Sequence, residues 1–240
     1  MSVDTFTLLL LLIMMYTLIS SGTSIPRVQT CKNAPPAPYS CPDLRDIQDQ
    51  GLAQAFNLTK FVGKSPYYEL GVHDCTQPST CGCMRSFKSF TSSPTIYNDN
   101  FTLVCPWSSS SSNSDSAKIY ESDLVFSLTS QPAIFQGYWT ATPDTLYPDA
   151  VVAVSTIDSS TEVDEEEYRW VIEFQCVSDD KSNLAQFVAV NFYSRARVGP
   201  GADKSFDEML AKAAQLGIDQ YWNSTKEGLR RIDHTGCFYE

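Results

Sequence analysis

The sequence predicts an all-β protein, an eight-stranded antiparallel up-and-down barrel that is followed by one C-terminal α-helix. Eight short segments have strand character, and clusters of Ser, Asp, Pro and Gly separate them. One late segment has the periodicity of an amphipathic helix. A barrel of eight strands is wide enough to enclose one small molecule. The predicted strands are residues 68–73, 83–90, 101–105, 119–129, 133–140, 150–157, 168–176 and 186–193.

The single predicted helix spans residues 205–217. Ser205 is the expected N-cap, and Glu208 completes a capping box with it. Gly217 is the expected stop at the C-terminal end. The apolar side chains fall on one helix face, so we expect that face to pack against the barrel, with a partner protein as the alternative.

The N-terminal residues 1–24 predict a signal peptide. Residues 8–19 are almost wholly apolar, and small residues follow them. The segment contains Asp4 but no Lys or Arg, so an uncleaved N-terminal anchor stays open as an alternative. Residues 25–40 form a Pro-rich arm, and residues 41–240 are predicted to form the barrel domain with its helix. We therefore expect a secreted, extracellular protein without stable membrane insertion.

The charge of the chain excludes some classes of partner. The formal net charge is −11 at pH 7, which argues against nucleic acid and anionic membranes. Two polar segments, 108–116 and 159–167, are expected to be insertions between strands. The second ends in the acidic run 164–167, which we interpret as a solvated hairpin tip rather than a cation site.

The cysteines and the glycosylation sequons both indicate an extracellular protein. All eight cysteines follow the predicted signal peptide. An even number in a secreted chain predicts four disulfides, and the count alone leaves the pairing open. Three sequons agree with secretion. They begin at Asn57, Asn100 and Asn223.

The sequence predicts no catalytic residue, no metal site and no cofactor. Nucleophilic catalysis needs a base beside a Ser or Cys, and the two histidines, His73 and His234, lie in no recognised motif. His73 together with Cys75, Cys81 and Cys83 has the chemistry of a zinc site. Secretion favours disulfides over thiolate ligands at these positions.

One stretch carries a more specific pattern. Residues 56–64 contain an aromatic residue, a Lys, an aromatic-apolar pair and a Gly, and residues 67–70 read Tyr-Tyr-Glu-Leu. This stretch resembles the start of the first barrel strand in the lipocalin family, which shows Gly-x-Trp-Tyr-Glu. The Trp is absent here, and Tyr67 takes its position if Ser65-Pro66 is an insertion. Further segments resemble the apolipoprotein D-like branch in the expected order, at 41–43, 82–87, 131–133, 151–158, 168–176 and 191–197.

The resemblance implies how the barrel is closed at its base. Gly63, Tyr67 and Arg195 take the base positions, with Arg195 stacked on an aromatic ring. Arg197 shares the strand face of Arg195 and stays an alternative.

The resemblance also implies part of the disulfide pairing. In the apolipoprotein D-like pattern the N-terminal cysteine bonds to the seventh strand, and the second-strand cysteine bonds to the C-terminal tail. This implies Cys41–Cys176 and Cys83–Cys237. For the other four cysteines we predict Cys75–Cys81 and Cys31–Cys105.

The residues that line the interior follow from the strand period. If the closing Arg shares its face with the interior, every second residue before it on that strand points inward. The bulky face of the preceding strand, with Trp170, Ile172 and Phe174, is expected to join this wall. Tyr138 of an earlier strand is expected to add an aromatic ring. Phe135 is the alternative, because it points to the opposite face of the same strand. The predicted ligand-binding residues are Tyr138, Trp170, Ile172, Phe174, Phe187, Ala189, Asn191 and Tyr193.

Together these features predict a secreted lipocalin-like carrier of a small hydrophobic ligand, with retinoid, carotenoid, tetrapyrrole, sterol and fatty acid all open. Two alternatives remain. One is a lipocalin-fold enzyme that acts on a lipid-like or carotenoid-like substrate, for which Cys105 is the position of interest. The other is a disulfide-rich extracellular interaction protein with a solid core and no ligand. A protein receptor and a homo-oligomer stay open as further partners.

Overall fold

The barrel predicted from the sequence is confirmed. The structure is a computed structural model, and it describes residues 39–64, 66–106, 118–155, 167–178, 181–223 and 228–237. The predicted signal peptide, most of the Pro-rich arm, segment 108–116 and nearly all of segment 159–167 lie outside the described residues. The strands are β1 (Tyr67–Asp74), β2 (Gly82–Phe90), β3 (Ile96–Cys105), β4 (Lys118–Leu128), β5 (Ile134–Trp139), β6 (Thr142–Val154), β7 (Trp170–Ser178), β8 (Ala185–Ser194) and β9 (Arg230–Arg231).

Each of the first eight strands pairs antiparallel with its neighbour in sequence, and β1 closes the barrel by pairing with both β8 and β2. The pairing of β1 with β2 is short and covers two residues of β1, Tyr67 and Tyr68. Further along β1, the two-residue strand β9 pairs with Gly71 and Val72. The C-terminal region therefore completes the wall where β1 and β2 diverge.

Two strands begin earlier than the sequence predicts. β3 begins at Ile96 rather than at residue 101, and β6 begins at Thr142 rather than at residue 150. The missed parts are rich in Asn, Asp and Pro, which are depleted in strands. They form strands here because each pairs with a well-defined neighbour, β4 and β5 respectively.

The long helix also begins earlier than predicted. Four helices are described, α1 (Leu52–Ala55), α2 (Leu58–Val62), α3 (Pro200–Gln215) and α4 (Gln220–Asn223). Gly199 caps α3, and Pro200 occupies its first turn, where a missing N–H costs nothing. The prediction of Ser205 as N-cap is wrong, because Ser205 is buried within the helix. No helix in the described ranges is long and apolar enough to cross a membrane.

Two hydrophobic cores lie on opposite sides of the barrel wall. The outer core lies between the strands and α3, and includes Phe206 and Met209 of the helix and Phe192 of β8. The inner core fills much of the barrel and includes Phe61 of α2 and Phe135 of β5. Strands β7 and β8 contribute apolar residues to both cores, so both faces are buried along most of each strand, while Gln186 near the start of β8 is exposed.

The structure contains both disulfides that the resemblance implies, Cys41–Cys176 and Cys83–Cys237. The prediction for the other cysteines is wrong. Cys81 bonds to Cys105 rather than to Cys75, because Gly82 of β2 pairs with Val104 of β3 and brings the two Cα atoms to 4.4 Å. Cys105 therefore does not bond to Cys31. Cys75 is disulfide-bonded as well, and Cys31 lies outside the described residues.

Candidate functional site

The candidate site is the inside of the barrel, and one end of it is sealed. The guanidinium carbon of Arg195 lies 3.5 Å from the centre of the Tyr67 ring, and Arg195 Nη2 donates to the Phe61 carbonyl oxygen at 3.3 Å. Gly63 has a φ of 61°, and a Cβ there would overlap the same guanidinium. The three residues predicted for the base therefore lie together. The alternative, Arg197, lines a surface cleft beside the start of α3.

A layer of aromatic rings covers this base from the inside. Phe61 of α2 packs against Tyr97 at 5.6 Å and against Phe135 at 5.7 Å between ring centres. Tyr97 and Phe135 are 5.5 Å apart with nearly perpendicular planes, which is the edge-to-face geometry that aromatic pairs prefer. The lower part of the barrel is therefore filled by its own side chains.

A buried lysine lies against this aromatic layer. The Lys88 ammonium lies 5.0 Å from the Phe61 ring centre and 5.4 Å from that of Tyr193. It donates to Asp99 Oδ2 at 2.6 Å and forms an ion pair with Glu173 Oε1 at 3.2 Å. The Lys88 side chain is 1% exposed. Burial alone lowers the pKa of Lys88, but the two carboxylates outweigh burial and hold it above its usual value.

A third buried carboxyl, that of Asp149 on β6, lies close enough to affect the same groups. Burial raises the pKa of Asp149 well above its usual value, Glu173 raises it further, and Lys88 opposes the shift. Burial also raises the pKa of Glu173, against the opposing effect of Lys88. We call Lys88, Asp99, Asp149 and Glu173 the interior charge cluster. It holds three carboxyl groups and one cation.

Asp149 differs from the other two carboxyls because it lacks a side-chain partner. Neither of its oxygens accepts a hydrogen bond from another side chain in the described part of the chain, although the residue is 1% exposed. The hydroxyl of Tyr97, which is fully buried, also has no hydrogen-bond partner there. Buried polar atoms in native proteins are rarely left without a partner, so these atoms are the candidates in the interior to bind a water molecule or a polar group of a ligand.

A second polar group lies further along the interior, at Glu69 of β1. Its Oε1 accepts hydrogen bonds from Asn191 Nδ2 and, at 3.2 Å, from Gln77 Nε2 of the β1–β2 connection. Burial raises the pKa of Glu69 to about 8, and Asp74 adds to this shift, whereas Arg230 and the two hydrogen bonds oppose it. Glu69 is therefore largely protonated in the folded protein at neutral pH.

The raised pKa of Glu69 predicts a pH dependence of stability. Between its ordinary pKa near 4.5 and the folded value of about 8, the folded state holds a proton that the unfolded state has lost. The free energy of unfolding contributed by this group therefore falls as pH rises through that window, by at most about 1.4 kcal/mol per pH unit. The stability difference between Glu69→Gln and the unsubstituted protein should shift in favour of the variant from pH 5 to pH 8, as measured by urea denaturation. A difference that does not change with pH would contradict the prediction.

The four predicted ligand-binding residues of β8 share its inner face by parity. Asn191 pairs with Val72 and Tyr193 pairs with Glu69, and Tyr193 and Val72 belong to the inner core. Ala189 is buried and shares this face, and half-buried Phe187 follows with the same parity. Asn191 is already engaged with the Glu69 carboxyl.

The prediction that the bulky residues of β7 and Tyr138 of β5 line the barrel interior is wrong. Trp170, Ile172 and Phe174 belong to the outer core under α3, and Trp170 Nε1 donates to Glu208 Oε2 of that helix at 2.7 Å. The inner face of β7 carries Val171 and Glu173 instead. Tyr138 is also not part of the inner wall, because it shares the parity of Ile134, which lies in the outer core, whereas Phe135 faces inward. The bulky side chains point outward because a helix covers that side.

The cysteine chemistry considered from the sequence is not available. Cys75, Cys81, Cys83 and Cys105 are all disulfide-bonded, so none can act as a thiolate ligand or as a nucleophile. No group of three His, Cys, Asp or Glu side chains within the described ranges has the geometry to hold a metal ion.

All three sequon asparagines use their side chains in local hydrogen bonds, and Asn223 donates to Asp219 Oδ2 at 3.2 Å. Asn57 is exposed and caps α2, accepting from the Thr59 and Lys60 backbone N–H groups. Asn100 is half-buried on β3 and donates to Asp123. Asn223 is exposed at the end of α4. Glycosylation at these positions stays a prediction.

The interior charge cluster was missed by the sequence analysis. Phe87 and Lys88 are neighbours on β2, and Phe87 is 42% exposed whereas Lys88 is only 2% exposed. Hydropathy predicts the reverse, with Phe buried and Lys exposed. One signal was present on β7, where Glu173 interrupts the apolar run Val171-Ile172-Glu173-Phe174. A charged side chain in a strand with two buried faces has to meet a partner inside the protein.

These features define a closed antiparallel barrel with an arginine-sealed base and a partly polar interior. Solved structures show the same fold. Apocrustacyanin C2 aligns with a TM-score of 0.54 at 10% identity, covering 82% of this chain and 89% of that chain. Lobster apocrustacyanin A1 aligns with a TM-score of 0.52 at 10% identity, and the alignment covers 82% of this chain and 89% of that chain. Insecticyanin from the tobacco hornworm Manduca sexta gives 0.51 at 13% identity, covering 83% and 89%.

The chain therefore has the lipocalin fold, which these proteins share. No protein-family profile matches the sequence. No curated protein matches it either.

Proposed function

We propose that this protein is a secreted carrier that buries a small hydrophobic molecule in its barrel, without covalent catalysis. The observation that carries the proposal is the barrel itself, which is closed all round by hydrogen bonds and sealed at one end by Arg195 on Tyr67. A barrel of eight strands is wide enough to hold one small ligand. The lipocalin fold supports the same function, and the ordered motifs support an assignment to the apolipoprotein D-like branch.

Secretion is part of the proposal. Three disulfides join described residues, and such bonds form and persist in oxidising compartments. The N-terminal apolar segment and the sequons of the sequence support the same location.

A neutral fluorescent probe tests the carrier function. We expect the fluorescence of Nile red to rise on titration with the folded protein, because the probe leaves water for an apolar interior. Ala189→Phe should weaken this binding by roughly tenfold or more, because it adds a ring to the inner face of β8. Gln186→Phe adds the same ring to an exposed position of the same strand and should leave the affinity unchanged.

Two results would contradict the carrier function. Absence of any saturable Nile red binding would favour the solid-cored interaction protein. Equal weakening by Ala189→Phe and Gln186→Phe would place the probe outside the barrel. Circular dichroism of both variants confirms that the fold is retained.

A further inference from the structure

The charge balance of the interior indicates which polar group a ligand would carry. Lys88 is shared by two of the three carboxyls of the interior charge cluster, at 2.6 Å from Asp99 and 3.2 Å from Glu173. Ser86 also donates to Asp99, at 2.6 Å. Asp149 has neither a cation nor a side-chain donor of its own among the described residues.

Two further cations at the barrel, Arg195 and Arg230, are engaged elsewhere. Arg195 is held at the base, where it stacks on Tyr67 and forms an ion pair with Glu167 at 3.6 Å. Arg230 donates to the backbone oxygens of Cys81 and Pro78. The interior therefore has more acidic groups than the chain itself can pair, and Asp149, whose pKa burial raises, stays buried by holding a proton until a cation pairs with it.

We propose that the barrel takes a ligand with an apolar body and one protonated amine, and that this amine pairs with the carboxylate of Asp149. The inference rests on the proposed carrier function and names the ligand class for the same site. An ammonium group offers up to three hydrogen-bond donors. In the described structure neither Asp149 oxygen has a side-chain partner and the Tyr97 hydroxyl has no hydrogen-bond partner, although the backbone N–H of Ala150 lies near enough to lower the pKa of Asp149.

Other ligand head groups fit this site less well. A carboxylate would bring another negative charge close to Asp149 and Glu173, and like charges in a buried site disfavour each other. An alcohol has a single donor and leaves the acidic excess uncompensated. The aromatic layer of Phe61, Tyr97 and Phe135 suits a flat or flexible apolar body.

A matched series of probes tests this inference in the unsubstituted protein. 4-Phenylbutylamine, 4-phenylbutan-1-ol and 4-phenylbutanoate share one apolar body and differ in the polar group. We expect the amine to displace Nile red at a concentration roughly tenfold or more below that of the alcohol, because hydrogen bonds to a charged group are stronger than those between neutral groups. The carboxylate should be the weakest of the three.

A pair of variants on β6 locates the effect. Asp149→Asn removes the charge at nearly constant volume and should lower the affinity for the amine to that for the alcohol. Asp144→Asn makes the same chemical change at an exposed position of the same strand and should leave the amine preference intact. If Asp149→Asn does not fold, the ranking of the three probes in the unsubstituted protein still decides.

The outcomes separate this inference from the carrier function. If the protein binds Nile red but binds the amine and the alcohol with equal affinity, the amine site is overturned and the carrier function still stands. Water would then be the partner of Asp149. Preference for the carboxylate, or an amine preference that persists in Asp149→Asn, would also overturn the amine site. If neither Nile red nor any of the three probes binds, both the amine site and the carrier function are overturned.

Discussion

Replacing Lys88 by Met is expected to destabilise the folded protein by about 3–5 kcal/mol, the usual cost of breaking a buried ion pair by removing one partner. Met keeps a similar linear shape but removes the ammonium group. Asp99 and Glu173, which lie 2.6 Å and 3.2 Å from that group, would then be buried without a cation. The free energy of unfolding from urea denaturation at pH 7 measures the effect.

The loss should depend on pH and on the partners that remain. Without Lys88 the two carboxyls must bind protons to stay buried, so the destabilisation grows as pH rises above their ordinary pKa range. The triple variant Lys88→Met, Asp99→Asn, Glu173→Gln removes the unpaired charges and should recover much of the stability.

A surface lysine provides the control for this prediction. Lys204 is 65% exposed and lies 3.7 Å from Glu208, so Lys204→Met should change the stability by less than about 1 kcal/mol. A comparably small effect of Lys88→Met would show that the interior cluster does not hold a paired ammonium group.

Loss of the Cys83–Cys237 disulfide is expected to have an effect of similar size. The two residues are 154 apart in sequence, and a cross-link of this length lowers the entropy of the unfolded chain by an amount worth about 4–5 kcal/mol. The double variant Cys83→Ser, Cys237→Ser removes it without leaving an odd thiol. Guanidinium denaturation under non-reducing conditions measures the loss.

The Cys81–Cys105 disulfide is the matched control, because it joins residues only 24 apart. Its double Ser variant should lose roughly 1–2 kcal/mol less than the long-range pair, since the entropy effect grows with the logarithm of the loop. An equal or larger loss from the short-range pair would contradict the entropic explanation.

The sequence was sufficient to predict the barrel and its base because both depend on local patterns. Strand segments repeat at regular spacing, and the stretch around Gly63 places Tyr67 at the start of β1. Closure by Arg195 then follows from the same resemblance. The strand segments and the turn at Gly63 are short-range features, whereas the contact of Arg195 with Tyr67 joins residues far apart in sequence and was available only through the resemblance.

Which strand face lies inside could not be predicted, because β7 and β8 are buried on both sides. Alternation shows that Trp170, Ile172 and Phe174 share a face, but it does not show whether that face meets the barrel interior or α3. The decision depends on the helix, which is distant in sequence. A search for charged residues within apolar strands would have found Glu173, and from it the rest of the interior charge cluster.

The position of β9 has a consequence for the order of events during synthesis. Arg230 and Arg231 pair with β1, whose residues leave the ribosome some 160 residues earlier. The wall beside Gly71 and Val72 therefore stays open in the nascent chain until residues 230 and 231 have left the ribosome. A ribosome stalled before residue 230 would carry a barrel with an open seam.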